Sequence, residues 1–188
     1  MSIVRYLRDS VLLDALKKRK MAFITGPRQV GKSTLAKGIL GSPQNYFLYD
    51  NERFRRNWAK SPDKVMETRG PGPVVFDEIH KDHRWKSRIK GIYDEVGDQL
   101  PIIVTGSARL DFYRKGRDSL LGRYFPYRLH PFSVAETPNP IPPNHILNQS
   151  NSRYPWKDLL ILGGFPEPLL SANEAQAKRW SRLRRERL

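Results

Sequence analysis

The chain has 188 residues, enough for one domain with a substantial core and an appendage. It has no cysteine, which excludes a disulfide framework and a thiolate metal site, and no apolar run near the ~20 residues that span a bilayer. With 34 Lys and Arg against 19 Asp and Glu the net charge is +15, which points to polyanionic partners (nucleotide, nucleic acid, an acidic protein) or else to a solvated basic surface. The basic N-terminus is not followed by an apolar segment, so no signal peptide is visible and a cytoplasmic location is expected. His80, His83, His130 and His145 do not form a metal-spaced set.

In chain order, residues 3–19 read as a helix. Ile3, Leu7, Val11, Leu12, Ala15 and Leu16 share one face, and basic residues take much of the rest. Met21 to Thr25 reads as a strand. It runs into Gly26-x-x-x-x-Gly31-Lys32-Ser33, a spacing with a mechanical reason. Glycines let the backbone turn so that successive N–H groups point inward at phosphate oxygens. Lys32 can reach the β- and γ-phosphates of a nucleotide, and the Ser33 hydroxyl can join the shell of Mg²⁺. The candidate phosphate contacts are Gly26, Pro27, Arg28, Gln29, Val30, Gly31, Lys32, Ser33 and Thr34. A helical pattern follows from Lys32, and its N-terminus adds positive partial charge beneath the phosphates.

Residues 46–49 read as a second strand. Asp50 then either faces a ligand at the strand's C-terminal end or caps the next helix. Residues 52–68 read as helical, anchored by Trp58, Val65 and Met66. After the Gly70-Pro71-Gly72-Pro73 loop comes a strand, Val74-Val75-Phe76, ending in Asp77-Glu78. Residues 85–96 read as a helix with Ile89, Ile92 and Tyr93 inward. Residues 101–104 read as a buried strand leading into Thr105-Gly106-Ser107. Strands alternating with helices at this spacing predict βαβ units and a mainly parallel sheet. Residues 109–122 suggest a short charged helix, and residues 124–129 a last strand. The expected organisation is a domain over residues 1–135, a Pro/Asn/Ser-rich linker or loop over 136–155, and the start of a truncated C-terminal helical region over 156–188.

The acids at 77 and 78 complete a site. Asp77 would hold Mg²⁺ through its water shell, together with Ser33, and Glu78 would orient and polarise an attacking water. An acid pair of this kind favours phosphoryl transfer to water over transfer to a small-molecule acceptor. Thr105 and Ser107 are both candidates to sense the γ-phosphate. Arg123, ahead of Arg109, is the candidate arginine for transition-state charge, from the same chain or a neighbour.

Taken together, GPRQVGKSTL, VVFDEIHK, TGSARLD, SLLGRYFPYRLHPFSVAE and LGGFPEP resemble the prokaryotic AAA-type ATPases that carry an AAA domain followed by a DUF4143 domain. The resemblance runs from about Tyr6 to Pro168. It implies a P-loop NTPase of the RecA/AAA-like ASCE class, a three-layer α/β/α fold with a mainly parallel central sheet. Lys32 and Ser33 would belong to Walker A, Asp77 and Glu78 to Walker B. Thr105 or Ser107 would fall in the sensor-1 region, and Arg123 in the following Gly-Arg motif. Members of this family are usually longer, so a missing C-terminal region is expected as a partner of residues 156–188.

Two functions follow as expectations. One is a module that binds ATP with Mg²⁺ and hydrolyses it to drive a conformational change, with self-association if Arg123 acts across copies. The alternative is a protein binding DNA or RNA in which ATP is only a switch. Basic clusters at 53–56, 84–90, 114–117 and 182–187 favour it, and Trp58, Trp85 and Trp180 could stack on bases. A small-molecule kinase would want an Arg-rich lid; residues 109–123 could mimic one, but Asp77-Glu78 argues against it.

Overall fold

The computed structural model describes residues 5–96, 100–106, 120–136 and 156–185. The side chains of Leu13, Ala135, Trp156 and Lys157 lie outside that description. So do Ser107, Arg109 and most of the segment expected to be a linker.

Among the described residues five parallel strands form one sheet. They are β1 (Met21–Thr25), β2 (Tyr46–Leu48), β3 (Val74–Asp77), β4 (Ile102–Thr105) and β5 (Tyr124–Arg128). Their order is β2-β3-β4-β1-β5, and every pairing is parallel. Among the described residues the crossovers from β1 to β2, β2 to β3 and β3 to β4 are helical, the usual way to join parallel strands. They include α2 (Lys32–Lys37), α3 (Glu52–Lys60), α4 (Pro62–Glu67) and α5 (Trp85–Val96).

Alternation along the strands builds two cores. Met21 and Phe23, Phe47, Val74 and Phe76, and Ile102 and Val104 face one side, packed with Trp58, Val65, Met66, Trp85, Ile89 and Ile92 of α3 to α5. Ala22, Ile24, Val75 and Ile103 alternate with these residues and are also fully buried. α2 packs on β3 and β4, and the helical segment before β1 packs on β1 and β5. The sheet is therefore covered on both faces, the α/β P-loop arrangement expected.

Among the described residues Trp58 is the largest fully buried side chain. Its ring lies 5.2 Å from Phe76 and 5.6 Å from Phe54, and Phe47 stands 5.3 Å from Phe76. The indole Nε1 donates to Asp82 Oδ2 at 2.9 Å. Asp82 also accepts from Arg88 at 2.5 Å and from the Arg84 N–H at 2.9 Å. Its buried charge is thus fully partnered. Asn45 is also buried. It accepts from the Gly70 N–H at 2.8 Å and donates into the carbonyls of residues 70–73, pinning the Gly-Pro loop ahead of β3.

The N-terminal helix departs from expectation. Residues Tyr6–Ser10 form α1, but Val11–Leu16 continue as a π-helix. Val11 and Ala15 are still buried. The wider winding ends on Lys17 N–H to Leu12 O at 3.2 Å, the i to i+5 bond of that form. The stretch 52–68 is two helices, because Pro62 starts a new one at N1.

The chain divides into two compact units. One holds residues 7–27 and 32–129; the other holds residues 1–6, 28–31 and 130–188. Within the second, α6 (Trp156–Leu162), α7 (Pro166–Ser171) and α8 (Glu174–Arg185) pack together. The Phe165 and Trp180 rings meet tilted at 4.9 Å, and the Arg184 guanidinium lies 3.9 Å from the Phe165 ring centroid. Leu160, Ile161, Leu170 and Leu183 of these helices are exposed.

Candidate nucleotide-binding site

In a parallel sheet the C-terminal strand ends share one edge, and the connections leaving that edge build the site. Register makes this concrete. Leu48, Asp77, Thr105, Ile24 and Tyr127 form one row across the sheet. β4 lies between β1 and β3, so Thr105 is the neighbour of both Ile24 and Asp77. The loop after β1 and the acids at the end of β3 emerge at the same edge, on either side of β4.

The loop itself turns through left-handed backbone. Gln29 has φ 65° and Gly31 φ 96°, and Gly26 lies at φ 150°. At Gly31 a side chain would be strained. Lys32 is buried at 6% exposure, and its Nζ donates to the carbonyls of Gly26 at 3.1 Å and Pro27 at 2.8 Å. The ammonium thus lies against the loop's own oxygens. Ser33 Oγ donates to Asp77 Oδ2 at 2.6 Å. Thr105 Oγ1 donates to Asp77 Oδ1, and Tyr46 Oη to Asp77 Oδ2. Asp77 is 2% exposed, and three hydroxyls satisfy its carboxylate.

Hard oxygen donors of this sort suit Mg²⁺, which takes one or two protein oxygens and fills its octahedron with phosphate and water. Among the described residues no cluster of three or more His, Cys, Asp or Glu forms an all-protein cage. The Ser33 hydroxyl beside the Asp77 carboxylate fits a nucleotide-borne magnesium ion.

Glu78 follows at φ 58° and ψ 20°, left-handed for a residue with a Cβ. Its N–H donates to the Thr105 carbonyl at 3.0 Å, continuing the β3–β4 ladder one step past the strand. Its Oε2 lies 3.7 Å from His80 Nε2 and 3.8 Å from Lys81 Nζ. Lys81 in turn bonds Asp50 at 2.6 and 2.7 Å. The N-cap of α3 is Asn51, which accepts from the Phe54 N–H at 3.0 Å, and not Asp50.

Burial lowers the His80 pKa from 6.5, with Lys81 and Lys32 acting the same way against Glu78 and Asp50. His80 is thus neutral in the folded state at neutral pH. Folding stability drawn from it is present above pH ~6.5 and is lost as pH falls toward the lowered folded value. Melting wild type and His80→Gln side by side from pH 7.5 to 5.5 is expected to show a steeper loss in wild type. Parallel slopes would remove His80 from the acid response.

Arg123 lies elsewhere. Its carbonyl accepts from the Met21 N–H at 2.9 Å, at the start of β1, and its Nε meets Asp94 at 3.0 Å. Five strand residues, roughly 16 Å, separate that end from the loop. The structure does not bring Arg123 to the Lys32, Ser33 and Asp77 cluster of its own chain. The physical reason is the parallel sheet: a residue just before a strand sits at the edge opposite the ligand edge. Ser107 and Arg109 lie outside the described residues.

Tyr46 was not anticipated. Burial, and then the bond to Asp77, push its phenol pKa far up, so it stays a donor. In the sequence it reads as one aromatic in an apolar strand; only pairing of β2 with β3 gives its hydroxyl a partner. Trp58 and Trp85, candidates for base stacking, are core residues at 0% and 8% exposure.

A family model described as an AAA domain matches residues 18–137, more than half of the chain. The chain belongs to this AAA domain family. The match begins just before β1 and takes in the loop, Asp77-Glu78 and all five strands. The fold of this AAA domain is similar to that of the Walker-type ATPase PABY2304 of Pyrococcus abyssi, at 18% identity and a TM-score of 0.56. That alignment covers 95% of this chain and 71% of the other. The Aeropyrum pernix ORC1 protein, solved in complex with DNA, aligns at 15% identity and a TM-score of 0.48, over 72% of this chain and 48% of that one. PCH-2 of C. elegans aligns at 17% and 0.44, over 69% and 42%. No curated protein matches. Among the described residues no helix of the AAA domain is long and apolar enough to cross a membrane.

Proposed function

We propose that this AAA domain binds ATP with Mg²⁺ and hydrolyses it to ADP and phosphate. The observation that carries the reading is the 2.6 Å contact of Ser33 with Asp77 where β1 and β3 end together, with Glu78 next in the chain. The N–H groups between Gly26 and Thr34 would take the phosphate oxygens, Pro27 excepted, since it has none. Lys32 would exchange the Gly26 and Pro27 carbonyls for β- and γ-oxygens. Mg²⁺, held by Ser33 and through water by Asp77, would neutralise charge on the β- and γ-phosphates. Glu78 would orient the water whose oxygen bonds the γ-phosphorus as the bond to the β-phosphate oxygen breaks. Thr105 holds Asp77 in place, and with Ser107 remains the candidate for reading the γ-phosphate. A role for Arg123 would be at the site of a neighbouring copy. Output through a conformational change, with or without nucleic acid, completes the reading.

The test pairs nucleotide titration with phosphate release, with and without DNA, in wild type and Lys32→Ala. Lys32→Ala is expected to bind ATP roughly 10- to 100-fold more weakly, the cost of losing charge-assisted bonds. Equal affinity in the two proteins would overturn the site. Stimulation by DNA, falling steeply with salt, would mark nucleic acid as the partner class.

A further inference from the structure

Arg5 is buried at 7% exposure, 25 residues before the loop residue it touches. Its Nε donates to Glu136 Oε1 at 2.7 Å, its Nη1 to the Val30 carbonyl at 3.2 Å and its Nη2 to the His130 carbonyl at 2.5 Å. The Phe132 ring lies 4.3 Å from the guanidinium. Glu136 is 1% exposed, and its second oxygen accepts from the Ser133 N–H at 3.3 Å. All of these residues belong to one compact unit. Burying such a pair is costly, and apolar residues of similar volume often do as well for stability alone. What an apolar pair cannot do is hold a carbonyl.

We propose that Arg5 is a positioning residue for the phosphate loop, acting through the Val30 carbonyl. In a trans peptide the C=O and the following N–H point opposite ways. Anchoring the Val30 oxygen on Arg5 therefore aims the Gly31 N–H away from the guanidinium. Gly31 is the residue whose φ of 96° lets the loop enter α2. The backbone on both sides of Val30 is left-handed, at Gln29 and Gly31, so the peptide between them needs an outside hold to keep its orientation. Only a planar fork with several donors can serve Glu136, Val30 and His130 together; an ammonium reaches fewer acceptors in that geometry. The inference rests on the ATP reading, since it assigns the Gly31 N–H to phosphate.

The experiment uses the full chain in wild type, Lys32→Ala, Arg5→Lys and Glu136→Gln. Each is titrated with a fluorescent ADP analogue and melted. Arg5→Lys is expected to weaken nucleotide binding about tenfold, beyond what its melting temperature accounts for. Glu136→Gln, which keeps the arginine and an acceptor for it, is expected to lose stability with a smaller change in affinity. A wild type that binds no nucleotide defeats the ATP reading itself. A wild type that binds, with Lys32→Ala impaired and Arg5→Lys unimpaired, overturns the positioning role alone. So does affinity that merely tracks melting temperature across both variants. Should Arg5→Lys not fold, hydrogen exchange in Glu136→Gln carries the test. Faster exchange at the Gly31 amide than at Phe23 and Ile24 supports the hold on Val30, and uniform change overturns it.

Discussion

Glu78→Gln is expected to hold nucleotide and not turn it over. The amide keeps the volume and one acceptor but cannot take a proton, so kcat should fall by about 10²- to 10⁴-fold, the usual worth of a general base. Nucleotide affinity should stay near wild type, because Lys32, Ser33 and the loop N–H groups are untouched. The side chain sits partly exposed between His80 and Lys81, on a left-handed residue whose N–H is tied to the Thr105 carbonyl. Backbone of that kind costs about 1–3 kcal/mol and survives where surroundings impose it. Here it turns the chain sharply at the end of β3, so Asp77 and Glu78 leave the strand in different directions. Single-turnover phosphate release beside nucleotide titration reads both halves. Turnover in Glu78→Gln close to wild type would give the base to another group.

Trp58→Ala should be the most damaging core substitution. Large aromatic deletions cost about 3–5 kcal/mol, from lost transfer energy plus the cavity left behind. Two features place this one at the upper end. Phe54 and Phe76 both lean on the indole, and Asp82 loses a donor while buried. The cavity would open beneath Phe76, next to Asp77 in β3, so loosening there should also weaken nucleotide binding. Trp58→Phe keeps most of the packing and loses the Asp82 bond, and should cost about 1–3 kcal/mol. Denaturant melts of both variants give the comparison. Equal losses would mean that the hydrogen bond, not the packing, holds this corner.

Much of this architecture is legible in the residues because period and punctuation agree. Trp85 to Val96 is a helix with Ile89 and Ile92 inward as expected and Tyr93 half-buried, and the strands at 21–25 and 74–77 sit where apolar runs meet Gly26 and Asp77. The loop after β1 is legible because its glycines are demanded by backbone geometry. Less was legible where the partner is distant in sequence. Arg5 and Glu136 are 131 residues apart, and nothing local marks either as buried. Tyr46 gains its role only from strand order. Arg123 shows a different limit: its motif suggests a phosphate arginine, and only strand order shows that, just before a parallel strand, it sits at the edge opposite its own chain's loop. The π-helical turn at Val11–Leu16 escapes a reading based on 3.6-residue periodicity, since burial of Val11 and Ala15 fits both windings.

The two margins of the sheet are poor templates for another strand. β2 has three residues, too few to recruit a partner backbone. β5 carries Pro126 at its centre. The Arg123 carbonyl and the Leu129 N–H both bond to β1, so by alternation the backbone of Pro126 faces outward, where its missing N–H interrupts the exposed row. Aggregation by edge-to-edge pairing is thereby discouraged at both sides. At these two edges, association of copies would then rest on side chains, whose charge and shape can be tuned and undone, rather than on an open-ended ribbon of backbone.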